Sequence, residues 1–296
     1  MTKIGLVLEG GAMRGMYSAG VLDVFMENNI QVDGIIGTSA GALFGVNYFS
    51  NQKGRVIRYN KRFCKDIRYI SKISLLFTGN IVNKRFAFYK ISKKLDKFDN
   101  DTFIKTGKDF YATVTNIETG KAEYIKITDP IKQLEYLRAS SAMPIVSKIV
   151  NLDGKKYLDG GAADSIPLDK MISLGYDKII VVLTQPLSYR KKALSDSNIK
   201  MIKIKFKKYP NFINAMIERP KNYNKITEKI ISLEKNNKIF VVRPSSKIDI
   251  NIIERNSQKL QSVYDLGKKD ASKIIKKLKT YLAKWGVYER LRFFKK

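Results

Sequence analysis

The sequence predicts an α/β fold with a mostly parallel central sheet, flanking helices and a basic, helical C-terminal region. Three observations carry that expectation. Two short aliphatic runs, Ile4 to Leu8 and Val32 to Ile36, each end in a glycine-rich turn and lead into helical spacing. Lys178 to Leu183 is a further aliphatic run without polar alternation, as in a strand buried on both faces. The net charge of +29 is uneven, about +9 over residues 1–185 and about +20 over residues 186–296, which sets the C-terminal region apart.

Taken in order, Ile4 to Leu8 is a strand of branched aliphatics that ends in Glu9-Gly10-Gly11-Ala12-Met13-Arg14-Gly15. Residues 16–28 place Ala19, Leu22, Phe25 and Met26 near one helical face. The strand Val32 to Ile36 leads into Gly37-Thr38-Ser39-Ala40-Gly41 and a helix from about Ala40 to Phe49. Strand, helix, strand and helix in this order imply parallel neighbours with a right-handed crossover. Both glycine turns then lie at the C-terminal edge of the sheet, where open α/β sheets bind ligands. Residues 53–105 read as lysine-rich and irregular. Phe110 to Thr115 and Ala122 to Ile127 read as a hairpin. Ile149 to Leu152 and Lys155 to Leu158 flank the turn Asp153-Gly154. A strand is expected at Lys178 to Leu183 and another at Lys238 to Arg243, with basic helices from about Ile250 to Lys284.

The chain is 296 residues long and 44% hydrophobic, enough for a full core. The organisation expected is a catalytic domain over 1–185 and a basic mixed or helical extension over 186–296, packed on that core. Cys64 is the only cysteine and there is no histidine. An intrachain disulfide is therefore impossible, and a zinc site has no usable ligand set. No metal and no cofactor is expected. No run approaches the roughly 18 apolar residues of a membrane span, and the N-terminal apolar stretch is too short for a signal peptide. A cytoplasmic protein is expected. Lys268, Lys269, Lys273, Lys276, Lys277, Lys279 and Lys284 interleave with Ile274, Ile275, Leu278, Leu282 and Trp285. This pattern fits peripheral contact with an anionic membrane, or a helix packed on the core with a solvated lysine face. Nucleic acid is not an expected partner.

Gly37 and Gly41 let the backbone fold sharply around Ser39, the arrangement that exposes a nucleophilic hydroxyl on a strand-to-helix turn. With no histidine in the chain, a Ser-His-Asp triad is excluded. A base for Ser39 must then be another group, and a carboxylate is the natural one. Asp153, Asp159 and Asp164 all lie in turn-like segments; Asp153 fits a plain hairpin turn, and Asp159 could emerge at a strand end. An aspartate with an unperturbed pKa of about 3.9 is a poor base, and burial would improve it. The turn over Gly10 to Gly15 has the Gly-x-x-x-x-Gly frame of a phosphate loop but lacks its Lys and Ser/Thr. Its N–H groups at a strand end suit either an oxyanion or simple tight packing.

Together these segments resemble the bacterial patatin-like phospholipases, lipid acyl hydrolases with a Ser-Asp dyad and a three-layer α/β/α fold. The resemblance rests on Glu9 to Gly15 as the glycine-rich oxyanion turn, Gly37 to Gly41 as the nucleophile elbow, and Asp159-Gly160-Gly161 as the motif carrying the base. Arg138 to Pro144 and Asn116 to Gly120 support it. It implies Ser39 as nucleophile, Asp159 as base, and the N–H groups of Gly10, Gly11 and Ala12 as oxyanion donors with Arg14 nearby. It departs from the family in Glu9 at the head of the turn and in Ala12 as a third small residue, where the donor survives if φ is negative. The activity implied is fatty-acid release from phospholipids or related lipid esters. Competing readings are an esterase, thioesterase or lysophospholipase of the same chemistry, a partner-recruiting relative without activity, and a charge-driven binder of anionic lipid or nucleic acid.

Overall fold

The computed structural model describes residues 2–283. Its strands are β1 (Ile4–Leu8), β2 (Gly34–Thr38), β3 (Asp109–Asn116), β4 (Ala122–Lys126), β5 (Val150–Leu152), β6 (Lys155–Asp159), β7 (Lys178–Val182) and β8 (Phe240–Val242). They form one sheet in the order β5-β6-β3-β2-β1-β7-β8, with β4 paired to β3 off that path. The run from β3 to β8 is parallel, whereas β4, β5 and β6 join antiparallel.

The helices are α1 (Gly15–Glu27), α2 (Ala40–Phe49), α3 (Arg55–Phe63), α4 (Lys72–Thr78), α5 (Asn100–Lys105), α6 (Leu134–Ser140), α7 (Leu168–Ser173), α8 (Asp196–Lys205), α9 (Pro210–Lys235) and α10 (Ser257–Ala283). Alternation along β1 assigns the two layers. Leu6 and Leu8 join the cluster that takes in α1, α2, α3 and α10. Val7 faces the other way, into α7 and α9 through Met171, Tyr223 and Ile230. The result is a helix–sheet–helix sandwich, as expected.

Three local readings change. Residues 53–105 are not irregular: they hold α3, α4, α5 and a π-helical stretch, Lys84–Leu95. The caps of α4 and α5 were in the sequence. Ser71 Oγ accepts from Ser74 N at 2.9 Å, and Asp99 Oδ1 accepts from Thr102 N at 3.0 Å. The second strand runs two residues later than its aliphatic core suggested, because its pairing continues through Gly37 to Thr38. The basic helices expected over 250–284 are the single helix α10, and Lys284 and Trp285 lie outside the described residues.

The amphipathic face of α10 is not free. Leu260, Val263, Tyr264, Ala271 and Leu278 are buried, and the helix crosses α1 at close range. A Cβ on Gly267 would stand 2.1 Å from Tyr17 O, and one on Gly20 would stand 2.1 Å from Tyr264 O. Tyr264 Oη also donates to Asp23 at 2.5 Å. Of the two readings of this helix, packing on the core with a lysine face in solvent is the one observed.

Candidate active site

The length of β3 brings the key residues together. Its residues 109–113 pair with β2, ending at Thr38↔Thr113. Its other edge carries β4 over 111–115. Residues 114–116 pair with β6, beginning at Val114↔Asp159. Because β4 already occupies the opposite edge there, β6 lies on the same edge as β2 and meets it end on. Thr38 and Asp159 thus sit opposite consecutive residues of β3. The residue after Thr38 is Ser39, and its Oγ donates to Asp159 Oδ2 at 2.6 Å.

Ser39 stands at the N-terminus of α2 with φ 55° and ψ −119°. A non-glycine residue at positive φ is a strained exception, and such strain concentrates at functional sites. The strain is held in place by tight packing. A Cβ on Gly37 would stand 2.5 Å from Ala42 N, and one on Gly41 would stand 2.5 Å from Leu8 O. The Ser39 N–H donates to Ser140 Oγ at 3.0 Å, a residue whose part in the elbow no sequence pattern disclosed.

Asp159 is buried. Its Oδ1 accepts from Gly161 N at 2.7 Å, so one oxygen faces the motif and the other faces Ser39. Thr115 Oγ1 donates to the Asp159 carbonyl at 2.8 Å and fastens the turn to β3. Gly160 is required by proximity, since a Cβ there would lie 2.2 Å from Thr113 O. Burial raises the Asp159 carboxyl above the ordinary carboxylate range. Hydrogen bonds from Ser39 and Gly161, and the positive fields of Arg219 and Lys191, offset part of that rise. The other two aspartates are elsewhere engaged. Asp153 sits at φ 48° in the β5–β6 turn beside Gly154, a hairpin corner. Asp164 accepts from Tyr124 Oη at 2.8 Å.

The turn after β1 lies against the elbow. A Cβ on Gly10 would lie 3.2 Å from Ser39 Cβ, and one on Gly15 would lie 2.9 Å from Ala40 Cβ. Of the three N–H groups implied as oxyanion donors, that of Gly10 is already engaged, donating to Ser165 O at 3.2 Å. Those of Gly11 and Ala12 have no acceptor among the described residues. Ala12 has φ 47°, so the negative φ expected there is not met; alanine holds a glycine-like conformation and keeps its N–H. Glu9 is buried and accepts from Thr184 N at 2.6 Å and from Tyr223 Oη at 2.8 Å. It braces the turn against β7 and α9.

An apolar cavity of about 140 Å³ opens at Ser39 and is lined by Met13, Leu43, Phe88, Ile91 and Leu137 among others. Its far wall comes from the 53–105 segment. Among the described residues no cluster of His, Cys, Asp and Glu is arranged to hold a metal ion. No described helix is long and apolar enough to cross a membrane.

Residues 6–172 match a family model described as patatin-like phospholipase, and residues 209–283 match a domain of unknown function, DUF6363. The uncharacterized protein YjjU of Escherichia coli (strain K12) is 31% identical over 191 residues, 62% of this chain and 52% of YjjU. Lysophospholipase nte1 of Aspergillus niger is 31% identical over 183 residues, 61% of this chain and 12% of that protein. Among solved structures, VipD from Legionella pneumophila aligns with a TM-score of 0.43 at 11% identity, over 93% of this chain and 67% of VipD. The chain thus matches about half the length of YjjU and about an eighth of the fungal protein.

Proposed function

Because this chain belongs to the patatin-like phospholipase family, we propose that it is a serine acyl hydrolase that releases fatty acids from phospholipids or related lipid esters. The observation that supports this most is the 2.6 Å hydrogen bond from a strained Ser39 to a buried Asp159. In the reaction, Asp159 takes the Ser39 proton as Oγ attacks the ester carbonyl. The tetrahedral oxyanion is held by the N–H groups of Gly11 and Ala12, with Gly10 allowing the close approach. The proton passes to the departing alcohol, giving an acyl-Ser39 ester. Water then attacks that ester, Asp159 accepts its proton, and the fatty acid leaves as Ser39 recovers its hydroxyl proton.

The apolar cavity at Ser39 supports an acyl substrate. Its volume is close to that of a cavity that holds a benzene-sized group, so it seats a single short acyl segment, and a longer chain continues outward. The exposed apolar residues beside the cavity, and so the way in from a lipid surface, are on α4. Leu76 and Phe77 are 80% and 81% exposed and Ile73 is 49% exposed, next to the cavity-lining Ile70 and Val82. Lys72 on the same helix and Lys148, packed over Gly79 at its end, supply positive charge. An apolar tip with basic flanks suits an anionic lipid surface.

The test is fatty-acid release from mixed anionic liposomes and from a short-chain ester by wild type, Ser39→Ala and Asp159→Asn, each checked for folding. Loss of about a thousand-fold or more in both variants is expected. A wild type silent on both substrates, or a Ser39→Ala variant with full activity, would overturn the proposal.

A further inference from the structure

Three cations from different parts of the chain cluster near the site: Arg219 and Lys191 act on Asp159, and Arg14 acts on Lys191. Arg14 follows the β1 turn, Lys191 lies in the segment after β7, and Arg219 is on α9. None has a carboxylate within ion-pair distance among the described residues. The Nε atoms of Arg14 and Arg219 are buried and make no hydrogen bond, and neither does Thr184 Oγ1. A buried donor without a protein partner calls for an explanation, such as a water, an ion or a functional role. Thr184 Oγ1 stands 2.7 Å from where a Cβ on Gly11 would be, and an Arg219 Nη2 stands 3.3 Å from where one on Gly161 would be. Thr184 thus lies against the β1 turn and Arg219 against the motif that carries Asp159.

Lys191 is fixed, not loose. Its N–H donates to Asn224 Oδ1 at 2.8 Å, and Asn224 Nδ2 returns a bond to Lys191 O at 3.0 Å. Its Nζ lies 3.7 Å from the centre of the Tyr223 ring. Burial and the neighbouring Arg219 and Arg14 lower the lysine to about 7, while Glu9 and Asp159 act against that fall. The fold thus holds like charges together, with the carboxylates of Glu9 and Asp159 close enough to act on Lys191 but not in ion-pair contact with it. Glu9, the other acidic group in reach, is already engaged by Thr184 and Tyr223.

We propose that Lys191 and Arg219, assisted by Arg14, form a phosphate-binding site beside the Ser39–Asp159 pair. Two guanidinium groups and an ammonium suit the several oxygens of a phosphate monoester or diester better than a single carboxylate. Lys191 and Arg219 both lie outside the residues 6–172 that match the family model, so the site's two principal groups come from this chain's C-terminal half. In a lipid whose phosphate is a few bonds from the scissile ester, it anchors the part that leaves. That placement in the reaction rests on the acyl hydrolase reading; the anion binding itself does not.

Calorimetric titration tests the binding at pH 6.5 and low salt. The proteins are Ser39→Ala as the parent, the same chain with Lys191→Gln, Arg219→Gln or Arg219→Lys added, and a control with the exposed α10 change Lys273→Gln. The titrants are inorganic phosphate and glycerophosphocholine. Expected are binding to the parent and the control, a tenfold or greater loss in Lys191→Gln and Arg219→Gln, and partial recovery in Arg219→Lys. Binding of glycerophosphocholine identifies a lipid headgroup as the source, and binding of inorganic phosphate alone identifies a free phosphate; both support the site. No binding of either titrant, or binding indifferent to Lys191 and Arg219, overturns it. The ratio of kcat/KM for lysophosphatidylcholine over a neutral 4-nitrophenyl ester then separates the two proposals. An inactive protein that binds phosphate loses the hydrolase reading and keeps the site. An active protein whose ratio is unmoved by both substitutions keeps the reading and loses the site's part in it.

Discussion

At the residue scale, Ser39 and Asp159 are each held in a state that costs stability. Ser39 has φ 55°, a conformation worth about 1–3 kcal/mol of strain in a non-glycine residue. Ser39→Gly and Ser39→Ala both delete the hydroxyl, but only glycine relieves the backbone. Ser39→Gly is therefore expected to unfold at higher denaturant than Ser39→Ala, by about 1 kcal/mol, as urea titration would read. Equal midpoints would mean that the turn is not strained in solution.

Asp159 gives a pH signature. Its raised carboxyl binds a proton more tightly in the folded than in the unfolded chain. Its contribution to stability is therefore greatest below the ordinary carboxylate range and is lost as pH climbs through the raised value. Asp159→Asn removes that loss, and its amide can still accept from Gly161 N and donate to Ser39. The variant is expected to melt at or above the wild-type Tm at pH 8, with the difference shrinking toward pH 4. In the active chain, kcat/KM should rise through one acidic limb above the ordinary aspartate range as the base ionises. No histidine is present to supply that limb.

At the scale of elements, two helices make opposite demands. The crossing of α1 and α10 depends on Gly20 and Gly267, each set against a carbonyl of the other helix. Gly267→Ala inserts a methyl group where Tyr17 O stands. An overpacking cost of about 1–3 kcal/mol is expected, seen as a lower urea midpoint with the m-value unchanged. α4 instead leaves its apolar residues uncovered. Replacing both Leu76 and Phe77 by Ser should leave Tm within a degree or two while vesicle co-sedimentation falls several-fold. Undiminished co-sedimentation would remove α4 from the membrane contact.

At the scale of the whole molecule, the sheet crosses the point where the charge changes. β8 pairs with β7 over Ile180↔Phe240 to Val182↔Val242, and α10 covers the same helical layer as α1. The segment beyond 185 supplies one edge of the sheet, one layer's outer helix, and two of the three cations at the site, Lys191 and Arg219. Urea unfolding of the full chain, followed by circular dichroism and by tyrosine fluorescence, is expected to show one coincident transition. A chain cut after 185 is expected to be insoluble, because β7 and the buried face of α1 would lose their cover. Two separated transitions would instead mark the two segments as independent units.

The sequence by itself determined the α/β class, because aliphatic runs followed by glycine turns and helical spacing are local signals. It also determined the family and excluded a histidine triad. The helices between 53 and 105 were missed: α4 and α5 carry cap signals at Ser71 and Asp99, but α3 has no side-chain cap and the lysine-rich composition hid the pattern. The resemblance implied Asp159 as the base, but the residues alone left three aspartates open; the tertiary structure supplies the physical reason, since β3 is longer than β2 and offers its last residues to β6. It decided the fate of α10 as well: a basic amphipathic pattern is the same whether its apolar face meets lipid or α1. Of the cluster of Arg14, Lys191 and Arg219, only Arg14 carried a signal in the chain, through its place in the glycine-rich turn. The three are far apart in sequence, and charges acquire shifted properties only where folding brings them together and removes water.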